Sequence, residues 1–365
     1  MSVAATAPEH IRAISPYQPG KPISELAREL GLDEAGIIKL ASNENPLGMS
    51  EMARTAAEAA IADLARYPDG NGFALKDALS RRFSVAPEQV VLGNGSNDVL
   101  DLVARALLGA GREAVYSQYA FAVYPLATQA VGATGVKVAA RDYGHDLEAM
   151  LAAITPATRV VFIANPNNPT GTFLPGPELL AFIAKVPADV LVVLDEAYTE
   201  YLDDARRYDS IAWLARFPNL LISRTFSKAY GLAGLRVGYG LGHPMVIDLL
   251  NRVRQPFNVS SIALAAAVAA LGDEAFLRRS AELNRAGMAQ IVAASAALGL
   301  ETIPSSGNFV TIRVGDAARV NQRLLEQGVI VRPIGGYGLP EWLRVSIGLE
   351  SENARFIDAL RSALA

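Results

Sequence analysis

The sequence predicts an α/β protein in which a mostly parallel central sheet is sandwiched by helices and joined to a smaller α+β domain. Three observations predict it. Residues 160–164, 190–194 and 220–223 are β-branched and aliphatic runs without polar alternation, the pattern of strands covered on both faces. Helical patterns at 98–108 and 177–185 alternate with such runs along the chain. After Gln255-Pro256 the texture changes to long helices at 261–271 and 275–298, followed by separated strand-like runs at 308–314, 329–332 and 342–347 and a closing helix at 352–363.

Taken in order along the 365 residues, the chain divides into an arm, a large domain and a small one. Residues 1–45 are expected as an N-terminal arm packing with the small domain, because Pro and Gly cluster between Pro16 and Pro22. Residues 46–254 form the large domain and 255–365 the small one. No internal repeat or low-complexity tract interrupts this order.

Composition excludes several function classes. Apolar residues make up 51% and charged residues 19%, enough core material to rule out global disorder. A formal net charge of -4 argues against a nucleic-acid partner, and no polybasic patch suggests a membrane surface. The longest apolar run, 262–271, is about half of what a bilayer span needs. Without cysteine there is no disulfide framework, thiolate metal site or Cys nucleophile, and a cytoplasmic location is expected. The three histidines, His10, His145 and His243, show no metal-ligand spacing and no nucleophile elbow, so no metal site is expected.

Four segments carry candidate chemistry, each following a predicted strand or opening a helix, where ligands of open parallel sheets bind. In Gly93-Asn-Gly-Ser-Asn-Asp98, the residues Gly95, Ser96 and Asn97 offer backbone N–H groups and a hydroxyl to an anion at a helix start. Alone, the segment reads equally well as a capped glycine turn. In Asn165-Pro-Asn-Asn-Pro-Thr-Gly171, two prolines hold the asparagines on a rigid turn from which Asn168 faces a ligand. Asp195 ends a buried strand, where a carboxylate needs a facing cation.

In the fourth segment, Lys228 stands out as one of six lysines among 33 basic side chains. A solvated surface amine is the ordinary reading of a lysine. Its neighbours Thr225, Ser227 and Arg236 instead make an anion site beside an amine, which a Schiff-base lysine requires.

Together these segments resemble the fold-type I, pyridoxal-phosphate (PLP)-dependent aminotransferases of class I and II, and within them the histidinol-phosphate aminotransferase family. The resemblance is carried by Tyr17-Gln-Pro-Gly-Lys-Pro22, Leu40-Ala-Ser-Asn-Glu-Asn-Pro-Leu-Gly48, Tyr67-Pro-Asp-Gly70, Asn168-Pro-Thr-Gly171, Asp195-Glu-Ala-Tyr198, Ser227-Lys228, Gly231-Leu-Ala-Gly-Leu-Arg236 and Tyr337-Gly-Leu-Pro340 before Leu343-Arg344. It implies that Lys228 holds PLP as a Schiff base and shuttles the proton, while Asp195 pairs with the pyridine nitrogen. By the same resemblance, Asn168 and Tyr198 bond the ring's phenolic oxygen. Gly95, Ser96, Asn97, Thr225, Ser227 and Arg236 hold the phosphate.

Phe121 matches the ring-stacking position, where the family often has Tyr, with core packing as its competing role. Tyr67 matches a residue that reaches the phosphate of a neighbouring subunit, which implies a homodimer with shared sites. Tyr17, Asn43, Arg332 and Arg344 fall on the substrate side, the arginines suiting carboxylate and phosphate alike. The implied reaction moves an amino group between glutamate and imidazole-acetol phosphate, giving 2-oxoglutarate and histidinol phosphate in histidine biosynthesis. An aromatic amino-acid aminotransferase or a phosphothreonine decarboxylase-like relative would share the cofactor machinery. A non-catalytic sensor on the same fold is disfavoured by the acidic charge.

Overall fold

The computed structural model describes residues 2–365. A short strand, β1 (Ile38–Lys39), precedes the main sheet, which is built from β2 (Val90–Gly93), β3 (Glu113–Ser117), β4 (Thr134–Val138), β5 (Thr158–Ala164), β6 (Leu191–Asp195), β7 (Leu220–Thr225) and β8 (Gly238–Gly242). Their order is β2-β8-β7-β6-β5-β3-β4. All neighbouring pairs are parallel except those made by β8, which runs antiparallel to β2 and β7.

The apolar runs read from the sequence are these inner strands. Val160, Val161, Phe162 and Ile163 on β5 and Val192, Val193 and Leu194 on β6 have no exposed surface. Each such side chain contributes roughly 1.5–3 kcal/mol by leaving water. β8 is glycine-rich for a steric reason. A Cβ at Gly238 would stand 2.4 Å from Ser96 N, and one at Gly240 3.0 Å from Val99 Cγ1, so glycine lets the strand pass beneath the helix Ser96–Leu107.

One face of the sheet shares a core with the helices Glu51–Ala60, Phe73–Phe83 and Gly176–Ile183. The other is covered by Ser96–Leu107, Val123–Ala130 and Pro244–Val253. The C-terminal part carries β9 (Thr302–Ile303), β10 (Phe309–Arg313), β11 (Val329–Ile330), β12 (Arg332–Pro333) and β13 (Trp342–Ser346), four of them forming an antiparallel sheet in the order β12-β13-β10-β9. β1 pairs in parallel with β11, and Leu26, Ala27, Ile37 and Ala41 pack with Leu325 and Ile330. Residues 26–41 are thus stapled to the C-terminal part, whereas the helix Glu9–Arg12, expected to pack there too, lies against Val123–Ala130 of the large domain, with Gln129 Nε2 donating to His10 O.

The helix Ser261–Gly272 falls on the far side of the expected boundary at residue 255, yet it packs against the helices Glu51–Ala60 and Phe73–Phe83. Its small side chains Ala263, Ala266, Ala267 and Ala270 bury in the core of the large sheet. The chain leaves that core only with the 24-residue helix Glu274–Ala297. Sequence texture placed the change about twenty residues early because a long apolar helix looks alike in either body. Among the described residues no helix is long and apolar enough to cross a membrane.

Candidate active site

The sheet register brings the chemistry together. Ala164 is level with Asp195, and Asp195 with Ser223, so the ends of β5, β6 and β7 open onto one crevice. A cavity of about 170 Å³ lies there. Ser96, Asn97, Phe121, Asn168, Asp195, Tyr198, Thr225, Ser227, Lys228 and Arg236 line it on the side of the large sheet. Tyr17, Asn43, Arg332 and Arg344 close it from the N-terminal segment and the small sheet.

Lys228 follows β7, and its Nζ donates to Ser42 O at 2.9 Å. Burial, then the Arg344 guanidinium, lower its pKa to about 7. The ammonium is destabilised by both, so the amine is neutral above that pH and available as a nucleophile or base.

Asp195 shows the opposite need. Tyr124 Oη donates to its Oδ2 at 2.8 Å, while Oδ1 is buried without a partner. Burial raises its pKa to about 6, against the Tyr124 hydrogen bond that lowers it. A cation in front of Oδ1 would reverse that burial penalty.

An anion cradle stands across the cavity. The helix Ser96–Leu107 begins at Gly95, φ 79°, with no side-chain cap, leaving its first amides free. A Cβ at Gly95 would fall 2.5 Å from Arg236 Nη2. Arg236 in turn donates to Ser227 Oγ at 3.3 Å.

Amine, unpaired buried carboxylate oxygen and uncapped helix start facing one crevice fit PLP, whose aldehyde, ring nitrogen and phosphate need those three partners. Lys228 would take the aldehyde, Asp195 the ring nitrogen, and Ser96, Asn97, Thr225, Ser227 and Arg236 the phosphate. Phe121 is half-buried at the wall, edge-on to Tyr124 with centroids 5.9 Å apart, so the core-packing alternative does not describe it alone.

The substrate side is cationic. Arg344 on β13 is 7% exposed, donates to Asn168 Oδ1 and Ala41 O, and has no carboxylate within ion-pair distance among the described residues. Arg332 on β12 is its register partner and lies over the Tyr17 ring at 5.4 Å. Two guanidiniums directly opposite one another repel unless an anion sits between them. With its Oδ1 occupied by Arg344, Asn168 is left with its NH2 as the group to offer a ligand.

Tyr67 is not brought to this cavity. It is 82% exposed and stacks on Phe257 at 4.7 Å. Gly95 does not line the cavity either and acts through the space it leaves for Arg236. Sequence reasoning missed Tyr124, the Ser42 carbonyl, Tyr337 and Ser346. Tyr124 is only three residues from Phe121, but its partner lies 71 residues away and no local pattern marks it. Glu196, beside Asp195, is a structural group: Arg224 donates to its Oε2 at 2.8 Å.

A family model described as aminotransferase class I and II matches residues 35–360. The chain is 70% identical over 99% of its length to histidinol-phosphate aminotransferase 1 of Thiobacillus denitrificans, of which 94% is covered. It is 68% identical over 98% of its length to histidinol-phosphate aminotransferase 1 of Cupriavidus pinatubonensis, covering 96% of it. Among solved structures, histidinol-phosphate aminotransferase from Sinorhizobium meliloti in complex with pyridoxal-5'-phosphate superposes with a TM-score of 0.91 at 30% identity, over 99% of this chain and 98% of the other.

Proposed function

Because the chain belongs to the class I and II aminotransferase family, we propose that it moves an amino group between glutamate and imidazole-acetol phosphate, giving 2-oxoglutarate and histidinol phosphate, on a single PLP site. The observation that carries the reading is the Arg332–Arg344 pair. The two are opposite each other on neighbouring strands, and Arg344 is buried without a counter-ion. Glutamate brings carboxylates and histidinol phosphate a phosphate ester, and one pair of guanidiniums suits both anions.

When bound, PLP supplies the carbonyl that exchanges for the amino group and the electron-withdrawing ring that acidifies the substrate's α-hydrogen. The chain supplies the rest. Lys228 Nζ, neutral above about pH 7, accepts and returns the proton, with the Ser42 carbonyl holding it in reach. Asp195 keeps a negative charge at the floor of the cavity, and Tyr124 holds that carboxylate in place. Asn168 and Tyr198 present hydrogen-bond donors to the cofactor's ring oxygen, and Arg344 and Arg332 orient the substrate.

The reading includes a homodimer in the cytoplasm. Met52, Ile61, Leu64, Tyr67, Phe73 and Phe257 are exposed apolar side chains, and a second copy would cover them while bringing Tyr67 to the partner's phosphate cradle.

A substrate panel followed by consumption of 2-oxoglutarate tests the reaction. Histidinol phosphate is expected to give the highest kcat/KM. Far higher kcat/KM for phenylalanine or tyrosine would replace this reading with that of an aromatic aminotransferase.

A further inference from the structure

Asn43 is buried, 1% exposed, and held in the left-handed region at φ 54°. Its hydrogen bonds form one set in which every buried donor finds an acceptor. The Asn43 N–H donates to Ser346 Oγ at 2.7 Å, so the Ser346 hydroxyl hydrogen is directed elsewhere, and Asn43 Oδ1 receives it at 3.0 Å. A flipped amide would leave the buried Ser346 hydroxyl hydrogen without an acceptor among the described residues, so it is Oδ1 that faces Ser346. Nδ2, which can only donate, is then turned onto Tyr198 Oη at 3.0 Å. Tyr198 must accept this bond, and its own hydrogen is left free. Phe309 meets the Tyr198 ring edge-on with centroids 5.5 Å apart, so the phenol cannot swing away without disturbing that packing.

We infer that Asn43 and Ser346 are positioning residues that set the polarity of Tyr198, making it a hydrogen-bond donor into the cavity. The inference rests on the reading of Tyr198 as a ligand of the cofactor's ring oxygen. The relay begins on the substrate side. Ser346 lies two residues beyond Arg344 on the same face of β13, and Asn308, immediately before β10, donates to Asn43 O at 3.0 Å. The strand that carries the substrate-binding arginine therefore also orders the donor at the cofactor. An acceptor in place of Nδ2 would capture the Tyr198 hydrogen and withdraw it from the cavity.

The test compares Asn43→Asp, Asn43→Gly, Ser346→Ala and Tyr198→Phe, with the double variants that add Tyr198→Phe to each Asn43 change. Asp and Gly both tolerate the left-handed backbone, and Gly keeps the N–H that meets Ser346. Two readouts are the pH midpoint of the visible absorbance of the PLP-bound protein and the dissociation constant of PLP from the apo protein. A donor on the ring oxygen favours its anionic form, so losing the donor moves the midpoint upward, by about one pH unit for Tyr198→Phe, with several-fold weaker PLP binding.

Asn43→Asp is expected to reproduce that shift, Asn43→Gly and Ser346→Ala part of it, and the double variants to shift no further than Tyr198→Phe alone. A midpoint shift caused only by the carboxylate charge that Asn43→Asp introduces would persist when Tyr198 is replaced by Phe, and the double variant separates the two. If Tyr198→Phe moves the midpoint while the Asn43 variants do not, or if their effects add in the doubles, Asn43 does not act through Tyr198 and the inference falls alone. If Tyr198→Phe leaves the midpoint unchanged, the reading of Tyr198 fails and takes the inference with it. Should Asn43→Asp not fold, the same cycle with Asn43→Gly decides.

Discussion

Tyr124→Phe removes one hydroxyl from a fully buried ring and leaves the ring itself in place, stacked on Phe162 at 4.7 Å with planes 5° apart. That hydroxyl is the only donor the chain gives to Asp195's carboxylate among the described residues. A hydrogen bond to an ionised acceptor is worth about 1.5–3 kcal/mol, equivalent to roughly one to two pKa units. Burial already raises Asp195 to about 6, and the Tyr124 bond opposes it, so losing the bond moves the carboxyl upward toward neutrality.

A protonated ring nitrogen pairs with the ionised form of Asp195, so PLP affinity falls as pH drops through the Asp195 pKa. In the variant that fall begins about one to two units higher, and PLP binding at pH 7 weakens roughly two- to tenfold. For the apo protein, a carboxyl raised above its unfolded value stabilises the fold below that value and loses the contribution as pH rises through the folded pKa. The Tyr124→Phe apo protein therefore extends that loss to higher pH. The assay is a PLP titration of apo protein by absorbance from pH 5 to 9. A variant whose dissociation constant follows the parent's pH dependence would refute the role assigned to Tyr124.

Three further outcomes are expected. Lys228→Ala abolishes the visible absorbance of covalently held PLP together with turnover, and in the parent the rate of PLP capture by apo protein rises through about pH 7 to a plateau, as stopped-flow absorbance would show; retained steady-state turnover in the variant would overturn the assignment. Gly95→Ala places a Cβ 2.5 Å from Arg236 Nη2 at a backbone φ of 79°, and the strain, about 1–3 kcal/mol, should appear as weaker PLP binding measured by fluorescence quenching. Mixing Tyr67→Phe chains with Arg344→Ala chains should restore some activity in verified hybrid dimers, since one of the two sites then receives both native residues; no restoration argues against a shared site.

Much of the site could be read from the chain. Lys228, Asp195, Asn168, Arg236 and Arg344 each sit at a strand end or beside a turn whose local chemistry is visible, and all of them reach the same cavity. The strands were legible because β5, β6 and β7 are covered on both faces and so carry unbroken apolar runs at 160–164, 191–194 and 220–222. β8 was not, since its alternate glycines answer to the helix packed above it and leave no hydrophobic signature. The break after residue 254 was real in texture but not in packing, as Ala263, Ala266 and Ala267 show.

What the sequence by itself determined is the set of reactive groups and the turns that expose them, because those depend on residue type and on contacts a few positions apart. Tertiary structure alone decided how each group is tuned. Tyr124 reaches Asp195 across 71 residues, Lys228 reaches Ser42 across 186, and Asn43 reaches Ser346 across 303. Hydrogen-bond direction and burial arise from such long-range neighbours, and no local pattern of residues encodes them.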